Sequence, residues 1–240
     1  MVFEHGIPAD GHGHAASSAP SWQITVVDET GSTNTDLMNA AAAGAPDRSV
    51  LVAKHQRAGR GRLGRSWDAP PGSNLLVSLL FREVPAEPVE LTHRVGLAAC
   101  LVARDLIGPD VWLKWPNDVL IGRNKLAGIL AQLAPDGAYA VVGLGMNIRW
   151  HPFGGARLGA QFDPGDVLAR ILRRVDELPA DVGELYRSHL ATLGRRVRAI
   201  MAAETIEGVA ADVDASGRLV IRAGDGSERV VDTADVIHLR

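Results

Sequence analysis

The sequence predicts an α+β fold: a mixed, largely antiparallel sheet with helices, followed by a small C-terminal β-barrel. Three observations carry this. Strand-like and helix-like segments are intermixed without the regular alternation of a parallel α/β sheet. Between residues 119 and 148, apolar runs are separated by the turn signals Gly122-Arg123-Asn124 and Pro135-Asp136-Gly137, the pattern of an antiparallel meander. From Arg195 onward, short valine-rich runs are cut by Gly208, Ser216-Gly217 and Gly224-Asp225-Gly226, as in a barrel too small to be the main domain. The expected organisation is a flexible tail (1–20), a main domain (21–193) and the barrel (194–240).

The elements follow in order. Residues 1–20 are rich in Gly, His, Ala, Ser and Pro and read as a flexible tail, with His5, His12 and His14 incidental to it. Trp22 to Val27 reads as a strand. Ser32-Thr33-Asn34-Thr35-Asp36 offers an N-cap to a helix that ends at Gly44. Val50–Lys54 and Leu75–Phe81 read as strands on either side of a glycine-rich loop. Leu91, Val95, Ala98, Ala99, Val102 and Leu106 lie at helical spacing within Val89–Ile107. Val111–Trp115 is a strand stopped by Pro116. The meander strands are Val119–Ile121, Lys125–Leu133 and Tyr139–Ile148, and Asp166–Val175 and Asp181–Leu193 read as helices.

Composition narrows the class. The 240 residues carry a formal net charge of only -3, so the surface as a whole is not built for nucleic acid. No segment approaches the roughly 20 uninterrupted apolar residues of a membrane span. The single cysteine, Cys100, sits in an apolar helical pattern and reads as a buried structural thiol. The N-terminus lacks the basic-then-apolar order of a signal peptide, so a cytoplasmic location is expected.

The densest signal is Gly59-Arg60-Gly61-Arg62-Leu63-Gly64-Arg65-Ser66-Trp67, which with Arg57 places four arginines in nine residues. Glycines cost entropy on ordering and the arginines repel, so folding gains nothing from such a loop. Guanidinium forks suit carboxylate and phosphate, and glycines open backbone N–H groups to the same oxygens. The loop matches both GxGxxG and a P-loop with arginine for lysine. Both require a helix immediately afterwards, and Pro70-Pro71-Gly72 forbids one, so neither reading holds. The loop alone is equally compatible with a small anion and with nucleic acid.

Other constellations tip the balance. Lys114-Trp115-Pro116-Asn117-Asp118 closes a strand with Asn117 and Asp118 at its end. Pro-Asn-Asp is commonly just a turn, although Asp118 also suits a divalent cation carried on phosphates. Lys125 opens an otherwise apolar strand, either guarding an edge or standing as a paired buried charge. Gly128 within it, like Gly143 and Gly145 in the next strand, makes room for close approach. Ser32, Thr33 and Asn34 converge polar groups at a helix start, although plain N-capping explains them equally well. Nothing resembles a covalent nucleophile, which points to reaction between bound substrates with charge stabilised by Arg and Lys.

Taken in order, Gly59 to Arg65, Lys114 to Asp118, Lys125-Leu126-Ala127-Gly128-Ile129-Leu130 and Gly145-Met146-Asn147 closely resemble the biotin protein ligases. The resemblance spans roughly residues 22 to 240. It implies a class II synthetase-like catalytic domain and an SH3-like C-terminal barrel. It also implies a two-step reaction in which biotin and ATP with Mg2+ form biotinyl-5'-AMP, and a lysine of a biotin carboxyl carrier domain then takes the biotinyl group. Ser32, Thr33 and Asn34 would meet the biotin rings, Gln56 the ligand near its ureido ring or carboxyl end, and Gly128 would leave space for it. Arg60, Gly61 and Arg62 would bind the carboxylate and adenylate phosphate, Arg65 the ATP phosphates, and Trp67 the adenine. Lys125 would hold carboxyl and phosphoryl oxygens. Asn117, Asp118 and Asn147 would orient lysine, metal or phosphate, with Asp118 the metal candidate.

The expected partner set is a carboxylase carrier domain, with no nucleic acid and no membrane, the protein being a monomer or weak homodimer. Only some 20 residues precede Trp22, so a ligase without the DNA-binding domain of some relatives is expected. The rivals are a lipoate ligase or octanoyl transferase, and a nucleic-acid module using Arg57–Arg65 with Trp22 and Trp67 for stacking.

Overall fold

The computed structural model describes residues 21–232 and 234–239; the N-terminal tail and its histidines lie outside them. The main sheet comprises β1 (Gln23–Thr30), β2 (Ser49–Gln56), β3 (Leu75–Phe81), β4 (Val111–Lys114), β5 (Asp118–Ile121), β6 (Asn124–Leu133) and β7 (Ala140–Met146). Their spatial order is β1-β2-β3-β7-β6-β5-β4. Only β1 and β2 run parallel, and α1 (Thr33–Ala42) supplies the crossover such a pair requires. The rest is antiparallel, including the expected β5–β6–β7 meander.

Strand alternation divides the labour between the sheet's faces. Along β7, Val142, Leu144 and Met146 enter the main core beneath α2 (Val89–Ile107) and α3 (Pro164–Glu177). On the other face, Val141 and its β3 partner Leu80 meet Leu37 and Ala41 of α1. The shorter helix α1 covers only part of that face. Cys100, on α2, is fully buried; its thiol donates to the Val111 carbonyl, and desolvation pushes its pKa up to about 12. It is a core residue, as the sequence indicates.

Two expectations need correction. The helix expected over Asp181–Leu193 is only α4, Gly183–Ser188. Beyond it the backbone pairs with β4: Leu113 N–H donates to His189 O and Ala191 N–H to Leu113 O. Tertiary pairing wins there over helical periodicity. The C-terminal strands β8 (Arg196–Ile200), β9 (Thr205–Val213), β10 (Leu219–Arg222), β11 (Glu228–Val231) and β12 (Asp235–His238) form a sheet of order β11-β10-β9-β8-β12, not a closed barrel. The sheet is nonetheless rolled. Flat, its edge strands would lie about 19 Å apart, four spacings of about 4.8 Å. The four peptide steps from Val231 to Asp235 reach at most about 14 Å.

The sheets are joined through Trp115, 1% exposed, whose Nε1–H donates to Gly217 O (2.8 Å) and whose backbone N–H donates to Thr192 Oγ1 (3.0 Å). Beside this joint, His93 of α2 stacks on Tyr186 of α4 at 3.8 Å between ring centroids. Its Nε2 has no hydrogen-bond partner among the described residues. Burial foremost, and then Arg187, push its pKa down to about 4. An unfolded histidine titrates near 6.5, so acid favours the unfolded chain. The contribution is complete above about pH 6.5 and disappears as pH falls through about 4, amounting to at most ~3 kcal/mol. Urea denaturation across this range should show that loss for the parent and a flatter acid limb for His93→Gln; identical limbs would remove His93 as its source.

Candidate active site

A pocket of about 320 Å³ opens on the sheet face that α1 leaves bare. Its floor is set by Gly143 and Gly145 of β7 and Gly128 of β6, on the side opposite Val142 and Leu144; Gly128 and Gly145 face one another in the ladder. The bareness is a steric requirement. A Cβ on Gly143 would stand 2.2 Å from Asn34 Oδ1, and one on Gly145 2.5 Å from Trp67 Cε2.

The inner end is a hydrogen-bonded recess at the start of α1. Gln56 Oε1 accepts from Thr33 N–H (2.7 Å) and from Thr33 Oγ1 (3.0 Å). Ser78 Oγ lies 2.8 Å from Thr33 Oγ1 and 2.6 Å from Asn34 Oδ1, with one proton to give. Asn34 Nδ2 donates to Leu130 O (2.9 Å) and Gln132 Oε1 (3.0 Å). Thr33, Asn34 and Gln56 are at most 8% exposed, so each rotamer is fixed from behind. Ser32 is the N-cap residue but makes no side-chain cap bond, and it lines the pocket. Plain N-capping therefore does not explain the motif.

The arginine loop forms the mouth. A Gly59 Cβ would strike Trp67 O at 2.3 Å, and Trp67 N–H donates to Gly59 O (2.9 Å), so the loop is pinched shut at its base. A short 3-10 turn, Arg62–Gly64, holds Leu63 at φ 56° with its side chain 65% exposed. A strained, solvent-facing leucine is not shaped by the needs of the core. Arg60, Arg62 and Arg65 line the pocket, whereas Arg57 turns out to Glu29 (3.4 Å) and leaves the cluster. Arg62 Nη1 donates to Asn117 Oδ1 (3.3 Å), while Asn117 Nδ2 is anchored on Ile129 O (2.7 Å). Desolvation foremost lowers the Arg62 pKa, Asp118 opposes this and Arg65 adds to it; the guanidinium stays charged at neutral pH.

Lys125 Nζ lies 2.6 Å from Asp118 Oδ1. β6 is an inner strand, so of the two sequence readings the paired charge is the one found. The ammonium also sits 5.4 Å from the centroid of the Trp67 ring. That indole rests on the floor against Gly128 and Gly145, and its buried Nε1–H has no hydrogen-bond partner among the described residues.

Of the residues singled out from sequence, Ser32, Thr33, Asn34, Gln56, Arg60, Gly61, Arg62, Arg65, Trp67, Asn117, Asp118, Lys125 and Gly128 all line this one pocket. Asn147 does not. Its Nδ2 donates to Ala156 O (2.9 Å) and Lys125 O (3.3 Å), and its Oδ1 accepts from Asn74 (3.1 Å), so it fixes the Lys125 backbone from behind. The structure thus sets Asn147 behind the pocket, beside the backbone of Lys125, and does not bring it to the adenylate-binding position expected of it.

Sequence reasoning missed Ser78 and Gln132, whose polar groups sit on the pocket face of otherwise apolar strands; period-two reading of β3 and β6 would have found them. It also missed Asp235 of the C-terminal sheet, which pairs with Arg65 at 2.8 Å and lines the pocket. No local signal tied that residue to the loop.

No cluster of three or more His, Cys, Asp or Glu that could hold a metal ion occurs among the described residues. Asp118 and Asp235 are the carboxylates of the pocket. This suits Mg2+ arriving on phosphates and keeping its waters, not an all-protein cage.

A recess of fixed hydroxyls and amides, a glycine floor and a cationic mouth suit an acid-activating, nucleotide-using ligase. Residues 26–147 match the biotin/lipoate A/B protein ligase family, and residues 192–239 match the biotin protein ligase C terminal domain. The chain belongs to the biotin/lipoate A/B protein ligase family. It is 38% identical to the biotin--[acetyl-CoA-carboxylase] ligase of Mycobacterium tuberculosis, over 91% of this chain and 90% of that one. It is 36% identical to the bifunctional ligase/repressor BirA of Escherichia coli over 52% of this chain and 39% of the relative. Among solved structures, the biotin protein ligase of Aquifex aeolicus in complex with biotin and ATP superposes with a TM-score of 0.77, covering 90% of this chain and 99% of that one at 24% identity, a likeness of fold.

The floor yields a direct test. Gly143→Ala must displace Asn34 from Leu130 and Gln132 and is expected to cost ~1–3 kcal/mol in urea denaturation. Gly31→Ala, with nothing within 4 Å of the added Cβ, should be nearly neutral. Equal stability of the two variants would refute the close-contact account.

Proposed function

We propose that this protein is an ATP-dependent ligase that activates biotin as biotinyl-5'-AMP and transfers the biotinyl group to a lysine of a biotin carboxyl carrier domain. The observation that carries the reading is one continuous pocket with a polar, fully tethered recess at one end and Arg60, Arg62, Arg65 and Lys125 at the other. Such a pocket suits a molecule with a neutral polar head, an apolar body and a carboxylate.

The recess offers Ser32, Thr33, Asn34 and Gln56 to the neutral head and the glycine floor to the apolar body. The carboxylate attacks the α-phosphorus of ATP and diphosphate leaves. Negative charge accumulates on oxygens shared between carboxylate and phosphate, where Arg62 and Lys125 act. Asn117 aims Arg62, and Asp118 holds the ammonium of Lys125 until oxygens compete for it. The carrier's lysine, as free amine, then attacks the acyl carbon; AMP departs and the amine loses its proton. Asp118 and Asp235 would help hold Mg2+, which neutralises phosphate charge when bound with ATP. Arg60 and Arg65, carried on the glycine loop at the mouth, meet the phosphates.

Biotin-dependent exchange of labelled diphosphate into ATP, with lipoate and no acid in parallel, tests the reaction. Exchange with biotin alone is expected, and exchange with lipoate alone would overturn the substrate. Lys125→Ala should lower adenylate formation about 10²–10³-fold, as for loss of one group that acts on developing charge. Arg62→Ala should release free biotinyl-adenylate into solution, detectable by chromatography, whereas retention equal to the parent would contradict its clamping role.

A further inference from the structure

A second cavity of about 210 Å³ lies at the seam of the two sheets. One wall carries Lys114 of β4 and Arg123 of the β5–β6 turn; the other carries Arg195, just before β8, and His238 of β12. Among the described residues, no acidic one lines it. Among the described residues, none of the three cations has a carboxylate within salt-bridge distance. Elsewhere Arg174, Arg198, Arg218 and Arg229 each meet one. With 28 acidic residues against 25 basic ones, composition does not force three unpaired cations around one hollow.

His238 sharpens the point. Its Nε2 lies 3.1 Å from Thr192 Oγ1, the oxygen that also accepts Trp115 N–H, so the ring is fixed at the cavity wall. Burial foremost, then Lys114, Arg195 and Arg123, push its pKa down to about 4. At neutral pH the imidazole is uncharged, held in a converging positive field.

We propose that this cavity is a second oxyanion site that takes inorganic diphosphate, the leaving group of the adenylation step. The assignment of role rests on the function proposed above; the cavity's chemistry stands independently. Lys114 lines both cavities, so one cation borders the main pocket and the smaller cavity alike. The volume of about 210 Å³ equals roughly seven water volumes of ~30 Å³, ample for two linked phosphoryl groups. Three separated cations match the spread charge of diphosphate better than that of a single phosphate. Drawing diphosphate here would take it away from the acyl-adenylate, which it would otherwise attack in reverse.

The test is calorimetric titration of inorganic diphosphate into the full chain, with the main pocket filled by a sulfamoyl analogue of biotinyl-adenylate. Saturable binding is expected, weaker by about tenfold or more in Arg123→Ala/Arg195→Ala, and likewise weaker for inorganic phosphate on the parent. The double variant should form adenylate at the parental rate when pyrophosphatase removes the product, yet be less inhibited by added diphosphate. Absence of binding to the loaded parent, equal binding by parent and variant, or equal affinity for phosphate and diphosphate would each overturn the assignment. The parent–variant difference decides the cavity whether or not the analogue binds; failure of the analogue alone would count against the reaction.

Discussion

A strand has two faces, and β7 devotes one to the core and leaves the other bare. Val142, Leu144 and Met146 lock it under α2, while Gly143 and Gly145 expose its backbone to the pocket. Everything at the site depends on that asymmetry. Asn34 fits against Gly143 only because no Cβ is there, and its bonds to Leu130 and Gln132 follow from that placement. Trp67 reaches Gly145 and Gly128 for the same reason, and with it the arginine loop acquires a floor. Glycines in a strand interior weaken it, so the neighbours compensate: β3, β7 and β6 are inner strands, each paired on both sides.

Charge is the second constraint, and it is left unbalanced. Arg60, Arg62 and Arg65 share the mouth with Lys125, against Asp118 and Asp235. The Arg65–Asp235 pair is about half exposed and contributes only ~0–1 kcal/mol to stability. Its consequence is geometric, tying the loop to the C-terminal sheet. Asp118 is more enclosed and engages Lys125 directly. A pocket in which burial already lowers the Arg62 pKa is one that an anionic ligand would stabilise.

Much of this was legible in the sequence, for identifiable reasons. The strand–loop–strand reading of the arginine motif followed from Pro70-Pro71-Gly72, because proline chemistry is local. The meander followed from two turn signals with glycine at positive φ, Gly122 and Gly137. Pocket-lining residues were found wherever a motif concentrated them on a short stretch. What escaped was set by partners distant in the chain. Arg57 is claimed by Glu29 on the neighbouring strand, Asn147 by Asn74 and Ala156, and the segment after Ser188 by β4. Periodicity and propensity carry no information about such partners.

The C-terminal sheet illustrates the limit most clearly. Its valine spacing announces strands, and nothing in that spacing says where they dock. Docking is decided by Trp115, whose indole reaches Gly217 O and whose backbone N–H reaches Thr192, and by the bridge between Leu113 and Leu190. Once docked, the short link from Val231 to Asp235 obliges the sheet to roll, and β12 is thereby set against the mouth of the pocket. Asp235 and Val236 then line the site, while Ile237, His238 and Leu239 line the smaller cavity. One strand thus contributes to both hollows. The C-terminal unit is accordingly a structural part of the site, held there by a buried tryptophan from the same segment that places Lys114, Asn117 and Asp118.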